Sequence, residues 1–275
     1  MTIKLISVRL LRCIVNIILF LIFFFPFYWL FITSFKTLGA TMVFPPKLFP
    51  DTFLFQNYVD AFKAIPFLQF IENSLVVTVT ILILQMLTIV PAAYGFARYN
   101  FKGRSFFFGM TMLTMMIPVQ LTFLPVFIMF SNWGMINSYW SLILPFASNA
   151  FGIFMLRQTF KQVPHELIEA AKLDGASEYR ILTKIFLPLA RPTLITIGML
   201  TFIDVWNDYF WPLVMTTNDA VRTLPVGIAA LRQVESGIHY NILMAGNVML
   251  ILPIIIVFIL AQKQIIRAFT YFGSK

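Results

Sequence analysis

Long uncharged apolar runs alternate with short polar stretches along the chain. Residues 13–32 form the first such run and residues 75–97 the second. A helix needs about 20 apolar residues to cross a hydrocarbon core about 30 Å thick, so each run is long enough for one span. The run at 105–156 is long enough for two spans, which the polar sequence SNWGMINSYW at 131–140 separates.

Two further runs, at 192–213 and 242–262, bring the prediction to six helices. The pattern therefore predicts an all-α integral membrane protein. Its helices are expected at about residues 13–33, 75–97, 106–130, 138–157, 192–213 and 242–262. We predict an N-terminal region over residues 1–74, a helical core over 75–270 with a polar loop at 158–191, and a short tail at 271–275.

The basic residues before the first run resemble the start of a signal peptide. Lys4, Arg9 and Arg12 precede it. However, the apolar run is too long for a signal peptide, and no pattern of small residues for cleavage follows it. We interpret the first run as an uncleaved membrane anchor.

Basic residues are distributed unequally between the two sides that six spans define. The side carrying both termini has 15 Lys and Arg, and the opposite side has 5, namely Lys36, Lys47, Lys63, Arg222 and Arg232. Short cytoplasmic loops are enriched in Lys and Arg. Both termini and the loop at 158–191 are therefore predicted to be cytoplasmic.

Composition agrees with a membrane protein and excludes several other classes. Apolar residues make up 60% of the chain and charged residues 11%, whereas soluble domains have about 25% charged residues. The net charge is +9, and the basic residues that produce it lie at the ends of loops. Lipid headgroups and membrane topology explain basic residues at those positions, so no nucleic-acid partner is expected. Cys13, His165 and His239 are too far apart in sequence to suggest a local metal site.

The cytoplasmic loop has the local signals of two helices joined by a tight turn. Pro164 suits the first turn of a helix, and Gly175 offers a left-handed stop. Ser177 is a plausible N-cap for the second helix. The turn is flanked by small residues, which would let another protein's backbone approach closely. The alternative is a pair of amphipathic helices resting on lipid headgroups.

The spacing of residues in this loop resembles a known signature. The spacing is similar to the EAA motif of permease subunits in binding-protein-dependent ABC importers. It consists of Glu169-Ala170-Ala171, then Gly175 after three residues, then Ile185 after nine residues and Leu187-Pro188 after one more. Sequences at 117–127, 137–146, 151–171 and 205–213 are similar to the carbohydrate branch of that family, specifically the maltose-type second permease subunit. The resemblance covers roughly residues 57–269.

The resemblance implies a type I ABC importer permease with cytoplasmic coupling helices, in a bacterial-type plasma membrane. It implies four kinds of partner: a second homologous permease subunit, two ATP-binding subunits, an extracytoplasmic solute-binding protein and membrane lipid. By the same resemblance, the ATPase-coupling residues are expected to be Glu169, Ala170, Ala171, Asp174, Gly175 and Ala176.

No enzymatic activity is expected of this chain. None of its twelve glycines is followed by Lys, so the phosphate-binding pattern GxxxxGK[ST] is absent from the sequence. The chain is therefore expected to bind no cofactor, and ATP and Mg²⁺ are expected on the partner ATPase subunits.

Two carboxylates lie inside the fifth predicted span. Asp204 and Asp208 would each cost about 2.5–3.5 kcal/mol if they faced lipid at the bilayer centre, so they must face protein or water. At helical spacing they share one face with other polar residues, namely Thr193, Thr201, Asn207 and Trp211. A hydroxyl-rich solute could bind these groups and stack on Trp206, Tyr209 or Trp211. Alternatively, the two Asp pair with the partner permease or cap a broken helix near Pro212.

Other polar residues are weaker candidates for the solute pathway. Asn73, Gln120 and Asn247 could line it or could instead form hydrogen bonds between helices. We expect the solute to be a sugar or an oligosaccharide. The alternatives are glycerol phosphate, another small polar solute, or an ion-coupled secondary transporter that uses Asp204 and Asp208.

The two longer segments on the extracytoplasmic side remain open to two interpretations. Residues 36–72 are punctuated by prolines, and residues 214–241 form the second segment. Either segment could help to dock the solute-binding protein, or could be a plain connector.

Overall fold

A computed structural model describes the backbone of residues 2–232 and 237–273, and the side chains of residues 9–232 and 237–264. Every regular element in this part of the chain is helical, which confirms the predicted all-α class. Residues 274 and 275 of the predicted tail lie outside the described residues.

Helices of very different lengths follow one another along the chain. In order they are α1 (Thr2–Thr33), α2 (Leu38–Thr41), α3 (Gln56–Ala64), α4 (Phe67–Arg98), α5 (Arg104–Thr114), α6 (Val119–Asn132), α7 (Tyr139–Ile143), α8 (Ala150–Lys161), α9 (His165–Leu173), α10 (Glu178–Ile181), α11 (Leu187–Leu189), α12 (Arg191–Trp206), α13 (Phe210–Met215), α14 (Leu224–Ala230) and α15 (Tyr240–Gly273). A 3₁₀ turn at Leu144–Phe146 lies between α7 and α8, and a π-helical turn at Leu182–Phe186 joins α10 to α11.

Four helical segments of the described chain are long and apolar enough to cross a membrane, or six if two bent pairs count as spans. The four are Arg9–Thr33, Phe67–Arg98, Tyr139–Lys161 and Tyr240–Gln264. The bent pairs are α5 with α6, at 92°, and Glu178–Leu189 with α12, at 75°. The described chain therefore has the six predicted spans only when each bent pair is counted as one span.

The third predicted helix, over residues 106–130, is broken in the structure. α5 ends at Thr114, and Pro118 is extended (ψ 134°) as it caps α6. Proline has no N–H to continue a helix, and it disfavours helical backbone in the residue before it. Pro125, by contrast, lies inside the continuous α6.

The fourth and fifth predicted helices are also interrupted. The segment at 138–157 consists of α7, the 3₁₀ turn that contains Pro145, and α8, which the Asn149 side chain caps by accepting the Gly152 N–H at 3.1 Å. The segment at 192–213 breaks after Trp206 and resumes at Phe210. Apolar content predicted the presence of these spans but did not predict their breaks.

The chain divides into two compact units, and the predicted division at residue 75 stays a prediction. One unit comprises Met1–Phe67 and Val226–Leu252, and the other comprises Leu68–Pro225 and Pro253–Lys275. Within the first unit, the Asn241 side chain donates to the Asn57 side chain at 2.8 Å, which links α15 to α3. Such contacts join residues far apart in sequence, and hydrophobic patterning does not report them.

The core of the second unit extends from α4 into the polar loop. Ile89 and Tyr94 of α4 are buried with Phe160 of α8, and Ile168 and Phe186 of the loop belong to the same cluster. α8 approaches α4 closely because residue 152 is glycine: a Cβ there would lie 2.6 Å from the Ile89 Cδ1 atom. The loop is thus packed on the membrane helices by apolar contacts.

Candidate functional site

The first arm of the polar loop at 158–191 is α9, which ends in a glycine turn. Gly175 has φ +72°, and its N–H donates to the Lys172 carbonyl at 3.0 Å. The Ala176 N–H donates to the Ala171 carbonyl at 2.9 Å. These two bonds form the Schellman motif, in which a residue with left-handed backbone satisfies the last carbonyls of a helix. The glycine stop predicted from the sequence is therefore present.

The second arm begins two residues later. The Ser177 hydroxyl accepts the Arg180 N–H at 3.3 Å and caps α10, as the sequence predicts. The helical path continues through the π-helical turn and past Pro188 to Leu189. It then bends at Ala190 into α12, so the loop leads directly into the fifth predicted span.

The six residues expected to contact an ATPase fall into two groups. Glu169, Ala170, Asp174 and Gly175 are exposed. Ala171 and Ala176 are only half-buried, and they pack against the core cluster that contains Ile168 and Phe186. The first four are therefore free to meet another protein, whereas the last two also hold the loop on its own core.

Two exposed apolar side chains beside the turn were missed by the sequence reasoning. Leu173 is 89% exposed and Tyr179 is 77% exposed. They lie on either side of Gly175, one at the end of each arm. Both residues lie within the most charged part of the chain, so the charge pattern drew no attention to them. An apolar residue next to a helix-stopping glycine is nevertheless a signal that could have indicated an exposed apolar surface.

Glu178 connects both arms of the loop to α4, and the sequence reasoning did not predict this role. Its carboxylate accepts the Tyr94 hydroxyl at 2.5 Å and lies 3.2 Å from the Lys172 ammonium nitrogen. The Tyr94 hydrogen bond, and then Lys172, hold the pKa of Glu178 below its ordinary value, although partial burial opposes them. The Glu178 carboxylate of α10 thus joins the Tyr94 hydroxyl of α4 and the Lys172 ammonium of α9 in one charged contact.

A small cavity lies against the inner side of the turn. Its volume is about 280 Å³. Asp174, Arg180 and Lys184 supply its charged groups, and Ala171 and Ala176 line it as well. A partner side chain that carried either charge would find an opposite charge there.

A second cavity, of about 290 Å³, lies at the break between α12 and α13. Asp204, Asp208 and Gln120, three of the residues predicted for the solute pathway, border it together. Ser74 and Thr78 of α4 add hydroxyl groups. With Thr223, the cavity thus combines two carboxylates, one amide and three hydroxyls, a set that can bind a hydroxyl-rich solute.

The two tryptophans predicted as stacking surfaces are packed in the protein core instead. Trp206 is 1% exposed and stacks on Phe202, with ring centroids 5.5 Å apart. Trp211 is 3% exposed, and its indole N–H donates to the Ser141 carbonyl at 2.9 Å. Trp211 borders the second cavity only with the little surface that remains. These rings therefore offer a solute little surface in this structure, and their stacking on a solute stays a prediction.

The predicted polar face of the fifth span ends where α12 ends. Asn207 is the C-cap of α12, and its amide donates to the Ile203 carbonyl at 3.0 Å. Asp208 accepts the Trp211 N–H at 3.3 Å and caps α13, which is the helix-capping alternative given above. Thr201 donates to the Gln85 side chain at 2.7 Å, so that hydroxyl joins two helices. Tyr209 remains exposed.

Asn73 is a structural residue and does not line the second cavity. It is 3% exposed, and its amide donates to the carbonyls of Ala220 and Arg222 at 3.1 and 2.9 Å. Its oxygen accepts the Tyr139 hydroxyl at 2.6 Å. Because all these groups are satisfied within the protein, the hydrogen-bonding alternative is correct.

Asn247 lies in the other compact unit and is half-buried. Its amide donates to the Leu243 carbonyl of its own helix at 2.8 Å. Its predicted place in the pathway stays a prediction.

Comparison with known proteins assigns most of the chain, including the loop, to a family. The family described as binding-protein-dependent transport system inner membrane component matches residues 89–271. The chain is 36% identical to the arabinooligosaccharides transport system permease protein AraQ of Halalkalibacterium halodurans, over 86% of this chain and 84% of that one. It is 30% identical to the sn-glycerol-3-phosphate transport system permease protein UgpE of Brucella abortus, over 88% and 89% of the two chains.

A solved structure has a similar fold. It is a chain of a bacterial ABC transporter involved in the import of the acidic polysaccharide alginate. The TM-score is 0.83 at 27% sequence identity, covering 94% of this chain and 96% of that one. The similarity therefore extends over nearly the whole fold.

The charged contact of Glu178 predicts a dependence of stability on acid pH. Because the pKa of Glu178 is lower in the folded chain than its ordinary value of 4.5, its contribution is complete above about pH 4.5 and is lost as pH falls through the folded value. The side chains of Glu178 and Lys172 are about half exposed, so we expect an effect below about 1 kcal/mol. Glu178→Gln should lower the thermal midpoint at neutral pH and reduce its fall in acid.

The matched control for this measurement is Glu166→Gln, in the exposed first turn of the same loop. It should leave the acid dependence of the thermal midpoint unchanged. Equal acid profiles for the wild type and Glu178→Gln would contradict the assignment.

Proposed function

This chain belongs to the family of inner membrane components of binding-protein-dependent transport systems, so it is a multi-pass membrane permease, and we propose that it forms half of the translocation pathway of an ATP-driven importer. The other half is a second, homologous permease subunit. Two ATP-binding subunits and an extracytoplasmic solute-binding protein complete the assembly. We place the importer in a bacterial-type plasma membrane, with both termini of this chain in the cytoplasm.

The construction of the cytoplasmic loop carries this proposal. The glycine turn at 175 presents Leu173 and Tyr179 at the outside of the loop, where the described residues leave most of their surface uncovered. Aromatic anchors such as Tyr179 contribute much of the binding energy in protein interfaces, and the exposed Glu169 and Asp174 would form the polar rim, with the small Ala170 beside them. We therefore assign this surface to the ATPase subunit.

Movement of the ATPase subunit would be transmitted to the membrane helices through the contacts between the loop and helices α4 and α8. Phe186 packs edge-on against Tyr94 of α4 and Phe160 of α8, each with ring centroids 5.1 Å apart. Glu178 adds the hydrogen bond to Tyr94. Because well-packed apolar contacts resist compression, displacement of the loop would carry α4 and α8 with it.

ATP chemistry belongs to the partners in this proposal. The sequence has no glycine followed by lysine and so lacks the phosphate-binding loop of ATPases. ATP and Mg²⁺ would be bound by the two ATP-binding subunits, and this chain would need no cofactor of its own.

The solute is proposed to be a neutral sugar or oligosaccharide. Carboxylates accept hydroxyl hydrogen bonds strongly, and Asp204, Asp208 and Gln120 border the cavity at the helix break. Relatives named for arabinooligosaccharide and diacetylchitobiose transport support the same class.

Glycerol phosphate is the second candidate because of the relative named for its transport. The cavity opposes it, since none of the described residues that line the cavity is Lys or Arg, while two are Asp. An anion placed there would be repelled. Ion-coupled secondary transport, the remaining alternative, does not fit a family of binding-protein-dependent components, and we do not propose it.

Substitution of Gly175 tests the coupling surface. Valine in the left-handed conformation costs about 1–2 kcal/mol, so Gly175→Val should weaken association with the ATPase subunit about tenfold. The readout is co-purification of the ATPase from membranes and the ATPase activity that the binding protein stimulates. Apart from the adjacent residues, no heavy atom of the described part of the chain lies within 4 Å of a Cβ at this position, so crowding inside the chain is not the cause.

Asparagine tolerates left-handed backbone, so Gly175→Asn is the matched control and should retain most of the association. If Gly175→Val associates and couples normally, the loop has been misassigned. If both variants fail equally, close approach of the partner matters more than the angle of the turn.

Uptake by the reconstituted importer distinguishes the two solute classes. The complex, in vesicles loaded with ATP and supplied with its binding protein, should accumulate a labelled neutral oligosaccharide and should not accumulate glycerol 3-phosphate. Preference for the phosphate would contradict the proposed solute while leaving the coupling role of the loop intact.

Asp208 tests whether the cavity lies on the solute pathway. Asp208→Asn keeps an oxygen for the cap of α13 and removes the charge, whereas Asp208→Ala removes both. The cap should be worth about 1 kcal/mol, so only the alanine variant should lower the thermal midpoint. Uptake should fall about fivefold in both variants, because a charged acceptor is worth about 1 kcal/mol more than a neutral one. Unchanged uptake in both variants would remove Asp208 from the pathway.

A further inference from the structure

The chain that follows α1 folds back along the end of that helix. We call residues 42–55, MVFPPKLFPDTFLF, the return segment. Two consecutive carbonyls of this segment are held by side chains from α1 and the residues just after it. The Tyr28 hydroxyl donates to the Leu48 carbonyl at 2.6 Å, and the Lys36 ammonium donates to the Lys47 carbonyl at 2.6 Å.

These bonds set the depth of the return segment. α1 ends at Thr33, and Tyr28 precedes that end by five residues. At about 1.5 Å of rise per residue, the Tyr28 Cα lies roughly 7 Å back along the helix axis, and the Leu48 carbonyl lies within reach of its side chain. The return segment therefore lies beside a part of the chain that we assign to a membrane span.

The exposed surface of the return segment is aromatic and continuous with that of α1. Phe44 is 92% exposed and Phe49 is 69% exposed. The Phe49 ring contacts the edge of the Tyr28 ring at a centroid distance of 6.2 Å, and Tyr28 in turn lies 6.5 Å from Phe25. The most apolar window of α1 has no residue buried within this chain, so this surface continues one that the rest of the described chain leaves uncovered.

Charges in and beside the return segment are compensated or withdrawn from its surface. Lys47 pairs with Asp51 at 2.7 Å. Lys36 is 1% exposed, and its ammonium lies 4.1 Å from the centre of the Trp29 ring. Burial lowers the pKa of Lys36 because it disfavours the charged ammonium, and the Lys47 carbonyl and the Trp29 ring oppose that effect by contacting the ammonium. The exposed surface that results carries no unpaired charge.

The backbone of the return segment also suits a region with little water. Pro45, Pro46 and Pro50 have no N–H that would need a hydrogen-bond partner. The Leu54 N–H donates to the Phe35 carbonyl at 3.0 Å. Unpaired backbone donors are costly in lipid, so a proline-rich segment with captured carbonyls is favoured there over an ordinary loop.

We propose that the return segment is a lipid-binding element that lies in the headgroup and upper acyl region of the leaflet at the C-terminal end of α1. Phe44 and Phe49 enter this region and fix the depth and tilt of the first span. A solute-binding protein would be expected to meet a more polar surface, because non-obligate interfaces have a polar rim. This inference does not depend on the proposed transport function.

Site-directed spin labelling tests the depth of the return segment. The full chain has one cysteine, Cys13, so Cys13→Ser provides a background without thiols. Phe44→Cys and Phe49→Cys would carry nitroxides, and Lys63→Cys, at an exposed position in the last turn of α3, is the control. The chain is reconstituted with cysteine-free partner subunits in vesicles of phosphatidylethanolamine and phosphatidylglycerol.

Collision rates with oxygen and with a water-soluble nickel complex report the depth of each label. Labels at 44 and 49 should lie about 5–10 Å below the phosphate level, and the label at 63 should lie in water. Access of the nickel complex at 44 and 49 equal to that at 63 would overturn the proposal. Loss of that access only after the binding protein is added would also overturn it, and would identify a protein-docking surface instead.

Discussion

The edge-on packing of Phe186 against Tyr94 and Phe160 is the contact on which the rest of the second unit depends. It joins three helical segments at one buried point, and each ring is at most 5% exposed. Without it, the charged loop would be an appendage of the membrane helices. With it, the loop becomes part of the same core, and the charged contact of Glu178 with Tyr94 can form beside it.

Buried amide side chains have a comparable role where helices end or break. Asn73 binds the backbone at 220–222, and Asn57 donates to the carbonyls of Ser34 and Lys36 at 2.8 and 2.9 Å. Irregular backbone at membrane depth is tolerated only when the protein satisfies its polar groups. Polar residues in apolar segments therefore have two possible uses, structural and solute-binding, and sequence position alone does not distinguish them.

This ambiguity explains why the sequence predicted some residues of the candidate sites correctly and did not predict the surroundings of others. Gly175 and Ser177 could be predicted because helix stops and caps depend on a few neighbouring residues. Trp206 and Trp211 could not, because one helical face can point either to a cavity or to a neighbouring helix. The predicted face also assumed one continuous helix, whereas the chain breaks after Trp206 and directs Asp208 to cap the next helix.

The all-α membrane class, the position of the polar loop and the local geometry of its turn follow from apolar run lengths and capping residues, which can be read along the chain. The exposure of Leu173 and Tyr179 and the link from Glu178 to Tyr94 depend on how the helices pack in three dimensions. The helix break near Pro118 has a local cause in the proline itself, whereas only the fold set the break after Trp206 and the burial of both tryptophans. The features set by the fold depend on contacts between residues distant in sequence, whose partners no local pattern specifies.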